Sequence, residues 1–219
     1  MTLPIQLYSL ATPNGQKVSI ALEEMKLAYK AHTVNILKED QFEPWFIKIN
    51  PNSKIPAIVD PDGPKGEIAL MESGAILNYL ARKSGQLIPE DPALEHDTLQ
   101  WLFFQMASIG PMFGQFGHFY KYAQEKCQHP YPVDRYTNEV KRLLGVLDQR
   151  LKNHEYLAAD QYTIADIATF PWVAALEKFY KANDQLNLHH FKAVEKWGEK
   201  ISQREAVKKG MEVCPIPES

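Results

Sequence analysis

The strongest constraint on this chain is a change of pattern at Lys83. Before it, short alternating runs and helical stripes take turns. Beyond it, every strong signal is helical. Ile5-Gln6-Leu7-Tyr8 alternates apolar and polar side chains, as a strand does. Ala11-Thr12-Pro13-Asn14-Gly15 follows as a turn, and Val18, Ala21, Leu22 and Met25 predict a helix to about Lys26. Tyr29 to Ile36 reads as a second strand, with β-branched Thr33 and Val34. Phe42, Trp45, Phe46 and Ile49 form a short helical stripe. Ile55 to Val59 predicts a third strand, Pro61-Asp62-Gly63 a turn and Glu67 to Met71 a fourth strand. Ser73 is the expected N-cap of the next helix.

The order β-α-β-α-β-β-α leaves few topologies open. A βαβ crossover makes the first two strands parallel, whereas the hairpin adds an antiparallel pair. The expected fold is α+β: a small mixed four-stranded sheet over residues 1–83, a linker over 84–92 and an all-α bundle over 93–219. In that bundle, 94–106, 135–151 and 191–201 predict helices, and Thr163-Ile164-Ala165-Asp166 reads as a capping box with Asp in the usual Glu place. Gly110, Gly114 and Gly117 interrupt the helical pattern between them.

Several function classes drop out. Asp+Glu (27) outnumber Lys+Arg (24), so a basic nucleic-acid module is not expected. The longest mostly apolar stretch, 167–176, is half a membrane span, and 1–10 lacks the pattern of a secretory leader. Cys127 and Cys214 make neither a C-x-x-C pair nor metal-ligand spacing, so no metal is expected, and their scarcity suits the cytoplasm.

Three segments in order carry a resemblance over nearly the whole chain. These are Asn52-Ser53-Lys54-Ile55-Pro56-Ala57-Ile58, Glu72-Ser73-Gly74-Ala75-Ile76 and Tyr162-Thr163-Ile164-Ala165-Asp166-Ile167-Ala168. Together they resemble the soluble glutathione transferases, which join a thioredoxin-like N-terminal domain to an all-α C-terminal domain. Thr12-Pro13-Asn14-Gly15, Leu99-Gln100-Trp101-Leu102-Phe103 and Gly110-Pro111-Met112 resemble the bacterial Nu class, itself similar to fungal transferases of the nitrogen-regulator type.

The resemblance implies roles that suit the residues. Ser73 would hold the γ-glutamyl carboxylate of glutathione at a helix N-terminus, with Glu72 facing the ammonium. Ile55, before a cis proline, would pair its main chain with the cysteinyl part. Gln41 and Lys54 would reach the glycyl carboxylate. Thr12 and Asn14 would stabilise the thiolate, in place of the Tyr, Ser or Cys that most of the family uses. Tyr8 is read as a strand-end core or edge residue. Arg135, with Gln105 as a further candidate, would hold a second glutathione. Each also has a plain reading: caps, a turn pair, solvated charges, helix-surface residues. The dense aromatics Phe113, Phe116, His118, Phe119 and Tyr122 would line an open cleft or, for most of them, pack as core.

The implied activity is glutathione-dependent disulfide reduction, with two glutathione molecules or one glutathione disulfide per site and small thiols or disulfides as partners, in a homodimer. Transfer of glutathione to electrophiles, reduction of organic hydroperoxides, and a non-catalytic glutathione-binding regulator are the alternatives.

Overall fold

The computed structural model describes residues 3–217. The chain divides into two compact units: residues up to Ile88 together with those from Gln203 onward, and Pro89–Ser202.

The first unit is built on a four-stranded sheet ordered β2-β1-β3-β4. β1 (Ile5–Ser9) and β2 (Tyr29–Thr33) are parallel because α1 (Pro13–Glu24) carries the chain back between them. β3 (Ala57–Gly63) pairs antiparallel with β1 and with β4 (Gly66–Met71). The mixed sheet expected from the order of elements is therefore present. Two helices, α2 (Pro44–Ile49) and α3 (Ser73–Ser84), complete the βαβαββα order. Leu7 and Ile58 of the sheet, Val18, Ile20 and Leu22 of α1 and Ile76, Leu77 and Leu80 of α3 are all buried. A smaller cluster of Val34, Phe46 and Ala57 holds α2, with Tyr8, Ile49 and Ile55 packed against it. Asp60 on β3, fully buried, accepts from Tyr79 Oη (2.7 Å) and Lys83 Nζ (2.7 Å) and so fixes α3 along the sheet.

Several local expectations are corrected. The third strand starts at Ala57, since Pro56 has no N–H for a ladder. It then runs through Pro61-Asp62-Gly63, where a turn was expected; a bulge between Asp60 and Gly63 absorbs the irregularity, and the chain reverses at Pro64-Lys65. The second strand stops at Thr33, and the stripe from Phe42 is α-helical only from Pro44. Ser73 is the first residue of α3, and Glu72 stands at the N-cap.

Gly15 is likewise no turn residue. It lies in the first turn of α1, and a Cβ there would fall 2.0 Å from the Leu10 carbonyl oxygen and 2.4 Å from Ser9 Oγ. Only hydrogen lets the start of α1 rest on the loop after β1. Gly15→Ala is expected to destabilise the protein by about 2–3 kcal/mol, read as a lower denaturant midpoint with an unchanged slope.

A helix the periodicity did not reveal, α10 (Glu205–Glu212), lies against α1 within this first unit, although sequence counts it with the helical part. A Cβ on Gly210 would come within 2.5 Å of Ile20 Cα. Ser19 Oγ donates to the Gly210 carbonyl (2.6 Å), Gln16 Nε2 to that of Met211 (3.1 Å) and Ala11 N to that of Cys214 (2.8 Å). Arg204 pairs bidentately with Glu24. These contacts fix α1 at both ends.

The second unit is helical: α4 (Pro92–Phe104), α5 (Gly110–Gly117), α6 (Tyr131–Leu151), α7 (Ile164–Lys178), α8 (Asn183–Leu186) and α9 (Lys192–Ser202). Wide π-helical turns at Gln105–Ile109 and His118–Tyr122 flank α5. Gly110, Gly114 and Gly117 do not interrupt the helix. They admit rings: a Cβ on Gly117 would fall 2.2 Å from the Tyr180 ring, and one on Gly114 3.3 Å from Trp172. Phe113 and Phe116 are core, whereas His118 and Tyr122 are exposed. The capping box at Thr163 forms as expected, with Asp166 on the N-cap amide. Among the described residues no helix is long and apolar enough to cross a membrane.

Candidate functional site

Three segments of the first unit converge on the start of α3. Glu72 precedes that helix with φ 66° and ψ 112°, a conformation side-chain-bearing residues rarely adopt. Such a backbone is retained where surrounding structure imposes it, and it is common at binding sites. It leads straight into the first turn of α3, where Ser73 stands and a helix N-terminus favours an anion. Ser73 is 3% exposed.

The second segment is the loop before β3. The Ile55–Pro56 bond is cis. Buried Asn50 shapes the approach: its Nδ2 donates to the Lys54 carbonyl (2.5 Å) and its Oδ1 accepts from Asn52 N (2.9 Å). Asn52 Nδ2 in turn donates to Glu72 Oε1 (3.4 Å), which joins this loop to the α3 start. Strand pairing begins only at Ala57, so the Ile55 peptide lies beyond the ladder. Lys54 is exposed.

The third segment is α1. Thr12 is its N-cap, with Oγ1 accepting from Gly15 N at 3.5 Å, and Pro13 and Asn14 open the helix. Thr12 and Asn14 are half-buried. Asn14 is three residues before Lys17, on the same side of the helix. Lys17 is 1% exposed, and its Nζ donates to Ser73 Oγ at 3.2 Å. Burial pushes its amine down to about 7, against the opposing pull of the Glu72 carboxylate. Sequence reasoning passed over Lys17. Its signal was a charge on the face that also carries Ile20 and Ala21, both fully buried.

The structure thus links Ser73, Glu72, Lys54 and Ile55 through named hydrogen bonds and sequence neighbours, and places Thr12 and Asn14 on the helix that reaches Ser73 through Lys17. Gln41 is half-buried in a 3-10 turn, and its Oε1 is buried without a hydrogen-bond partner. Arg135 is exposed on α6, and Gln105 is fully buried in the first π-helical turn. Both belong to the helical unit. Tyr8 stacks on His32 with ring centroids 4.8 Å apart, and burial, with Glu67, raises its phenol, so it is a packing residue as expected.

Chemically, this is a place for an extended, carboxylate-bearing ligand. It offers a helix N-terminus for a carboxylate, a carboxylate for an ammonium, an unpaired strand end for a peptide and a second helix N-terminus with hydroxyl and amide groups.

Residues 11–83 match the description of the glutathione S-transferase N-terminal domain, and residues 132–205 that of its C-terminal domain. The chain belongs to the glutathione S-transferase family. This transferase is 44% identical over 215 residues to the disulfide-bond oxidoreductase YghU of Escherichia coli, covering 94% of this chain and 74% of that protein. It is 43% identical to the disulfide-bond oxidoreductase YfcG of the same organism, with 92% of each chain covered. A glutathione transferase from Pseudomonas putida, solved with one glutathione disulfide per subunit, superposes with a TM-score of 0.93. It is 53% identical, over 95% of this chain and 91% of that one. The thioredoxin-like sheet followed by a helical part is the fold of this family.

Proposed function

We propose that this transferase is a glutathione-dependent disulfide-bond oxidoreductase that uses the thiolate of bound glutathione and no cysteine of its own. The observation that carries this reading is the start of α1. A hydroxyl and a carboxamide, Thr12 and Asn14, stand at a helix N-terminus, the environment that favours a thiolate. The Cys214 thiol is buried and pushed up by that burial, away from the thiolate a nucleophile needs, and Cys127 lies in the other unit.

In this reading Ser73 and the α3 amides take the γ-glutamyl carboxylate, Glu72 the ammonium, Ile55 the cysteinyl main chain, and Gln41 and Lys54 the glycyl carboxylate. The orphaned Gln41 Oε1 can only accept, so Gln41 Nε2 is the atom that would donate to that carboxylate. Arg135 is the candidate for the carboxylate of a second glutathione; Gln105, being fully buried, rests on family resemblance alone. The glutathione disulfide held by the Pseudomonas putida relative supports a site that takes two such units.

The reaction balances as two exchanges. The bound thiolate attacks one sulfur of a substrate disulfide, forming a mixed disulfide and expelling one substrate thiolate. The second glutathione thiolate attacks the glutathione sulfur of that mixed disulfide. The product is glutathione disulfide, and both substrate thiolates leave to be protonated. The protein supplies proximity and a lowered thiol pKa. A homodimer and a cytoplasmic site of action belong to the same proposal; exposed Met71 on the edge strand and exposed Ala75 on α3 support an interface, to be measured by light scattering.

Steady-state assays with glutathione and a small dialkyl disulfide, beside an electrophilic arene and an organic hydroperoxide, test the reading. Disulfide turnover is expected to exceed the other two by at least about tenfold in kcat/KM, some 1.4 kcal/mol of transition-state preference. A dominant arene or hydroperoxide activity would reassign the chemistry, and binding without turnover would make the protein a regulator.

A further inference from the structure

We propose that the chain just beyond α10 is a positioning element for the sulfur end of the site: the Cys214 carbonyl, by holding the Ala11 amide, fixes the turn from which the Thr12 cap and the start of α1 face the thiolate of bound glutathione. The inference rests on the glutathione reading of the site and deepens it.

The geometry has three parts, all within the first unit. First, the end of α10 and the residues after it follow α1 back to its start. Ser19 Oγ, Gln16 Nε2 and Ala11 N donate in turn to the carbonyls of Gly210, Met211 and Cys214, at 2.6, 3.1 and 2.8 Å. Gly210 and Met211 belong to the last turn of α10, where a helix leaves carbonyls without an internal partner. Second, Cys214 is anchored twice. Its φ is 53°, in the left-handed region that a residue with a side chain holds only where its surroundings impose it. Its thiol is hydrogen-bonded to the Thr33 side chain at the end of β2, and it is buried. Third, the turn that Cys214 holds runs directly into the cap. Thr12 N donates to the Leu10 carbonyl at 2.7 Å, a three-residue turn with Ala11 at its centre. The same Leu10 oxygen lies under Gly15. Leu10 and Ala11 are both buried.

A buried N–H that loses its acceptor is costly, so without the Cys214 carbonyl the Ala11 amide would turn toward water and take the turn with it. The Thr12 cap, one residue on, would move in the same step. A thiolate is stabilised by N–H and O–H donors only when they point at it, and the field of a helix end falls off within one turn. A displaced α1 start therefore raises the pKa of the bound thiol. The peptide part of the ligand is held by other segments, with Ser73 and Glu72 at the start of α3 and Ile55 before β3. The tail thus acts on the sulfur and not on the framework. Linkage gives the converse: a thiolate that favours the ordered turn also strengthens the contact between Ala11 and Cys214.

Two truncations of the full chain test this. Deleting residues 216–219 leaves Cys214 in place and is expected to keep the parental thiol pKa, read by ultraviolet thiolate absorbance of bound glutathione. Ending the chain at Glu212 removes the Cys214 carbonyl and keeps α10 with its Gly210 and Met211 contacts. That form is expected to raise the bound thiol by at least about half a pKa unit and to turn over a small disulfide at least about threefold more slowly at pH 6. Its Kd for S-methylglutathione, whose sulfur is blocked, is expected to stay within about twofold of parental. The intact protein gives an independent readout: hydrogen exchange of the Ala11 amide is expected to be at least about threefold slower with saturating glutathione than with saturating S-methylglutathione. Equal exchange with the two ligands overturns the proposal, whether or not the truncated form folds. So does a folded form ending at Glu212 that keeps the parental thiol pKa, or one that loses S-methylglutathione in step with turnover. Intact protein that binds neither ligand, or that binds glutathione with an unshifted thiol, overturns the glutathione reading itself, and this inference with it.

Discussion

Asn14→Ala is expected to lower disulfide turnover by about 10–100-fold while changing glutathione affinity less than about threefold. The asymmetry follows from where Asn14 stands. It is the second residue of α1, beside the Thr12 cap, at the positive end of a twelve-residue helix. A carboxamide there can donate to a thiolate but has no counterpart in the peptide framework held by Ser73 and Ile55. A hydrogen bond to a charged group contributes about 1.5–3 kcal/mol, and each 1.4 kcal/mol is tenfold in the thiolate population. Losing it raises the pKa of the bound thiol, which ultraviolet thiolate absorbance reads directly. Parental turnover with an unshifted thiol would show that another group holds the sulfur. Thr12→Ala makes a useful contrast. Its Oγ1 also caps Gly15 N, so it is expected to lose stability, about 1 kcal/mol, as well as rate.

Asp166→Ala is expected to cost about 3–6 kcal/mol of stability, a large part of the 5–15 kcal/mol a domain typically has. Asp166 is 0% exposed, and its carboxylate accepts from Leu157 N (3.0 Å), Thr163 N (3.0 Å) and Trp197 Nε1 (2.9 Å). Alanine leaves all three donors buried without an acceptor, at about 1–3 kcal/mol each. The loss reaches beyond a helix cap, because the same two oxygens tie the α7 start to the segment before it and to α9. Denaturant titration of purified protein, or failure to accumulate as folded protein, measures it. Asp166→Asn, which keeps one acceptor oxygen, is expected to lose roughly half as much. A parental midpoint for Asp166→Ala would mean that the three donors find water or new partners.

Much of the site was legible because its residues speak through local rules. Thr12 before Pro13 is a helix start, and so is Ser73 before an apolar run. Thr163 and Asp166 form their box within three residues. Pro56 announces its own break in the ladder. What stayed hidden depends on partners distant in sequence. Gly15 looked like half of a turn pair, yet it is required by the Leu10 carbonyl under the helix. Gly117 looked like a helix breaker, yet it makes room for Tyr180, 63 positions away. Lys17, passed over in the sequence, is buried only because α1 meets the start of α3.

The sequence by itself determined the βαβαββα order of the first unit, its mixed sheet, the Thr12 and Thr163 caps and the absence of a dithiol, because each is fixed by period, by a single residue's φ or by residues a few positions apart. Tertiary structure alone decided that α10 closes over α1, that Glu72 is held at positive φ and that Lys17 ends under Ser73. Those outcomes depend on which surfaces meet across 56 to 195 positions of chain, and desolvation, which pushes the Lys17 amine down, exists only once they have met.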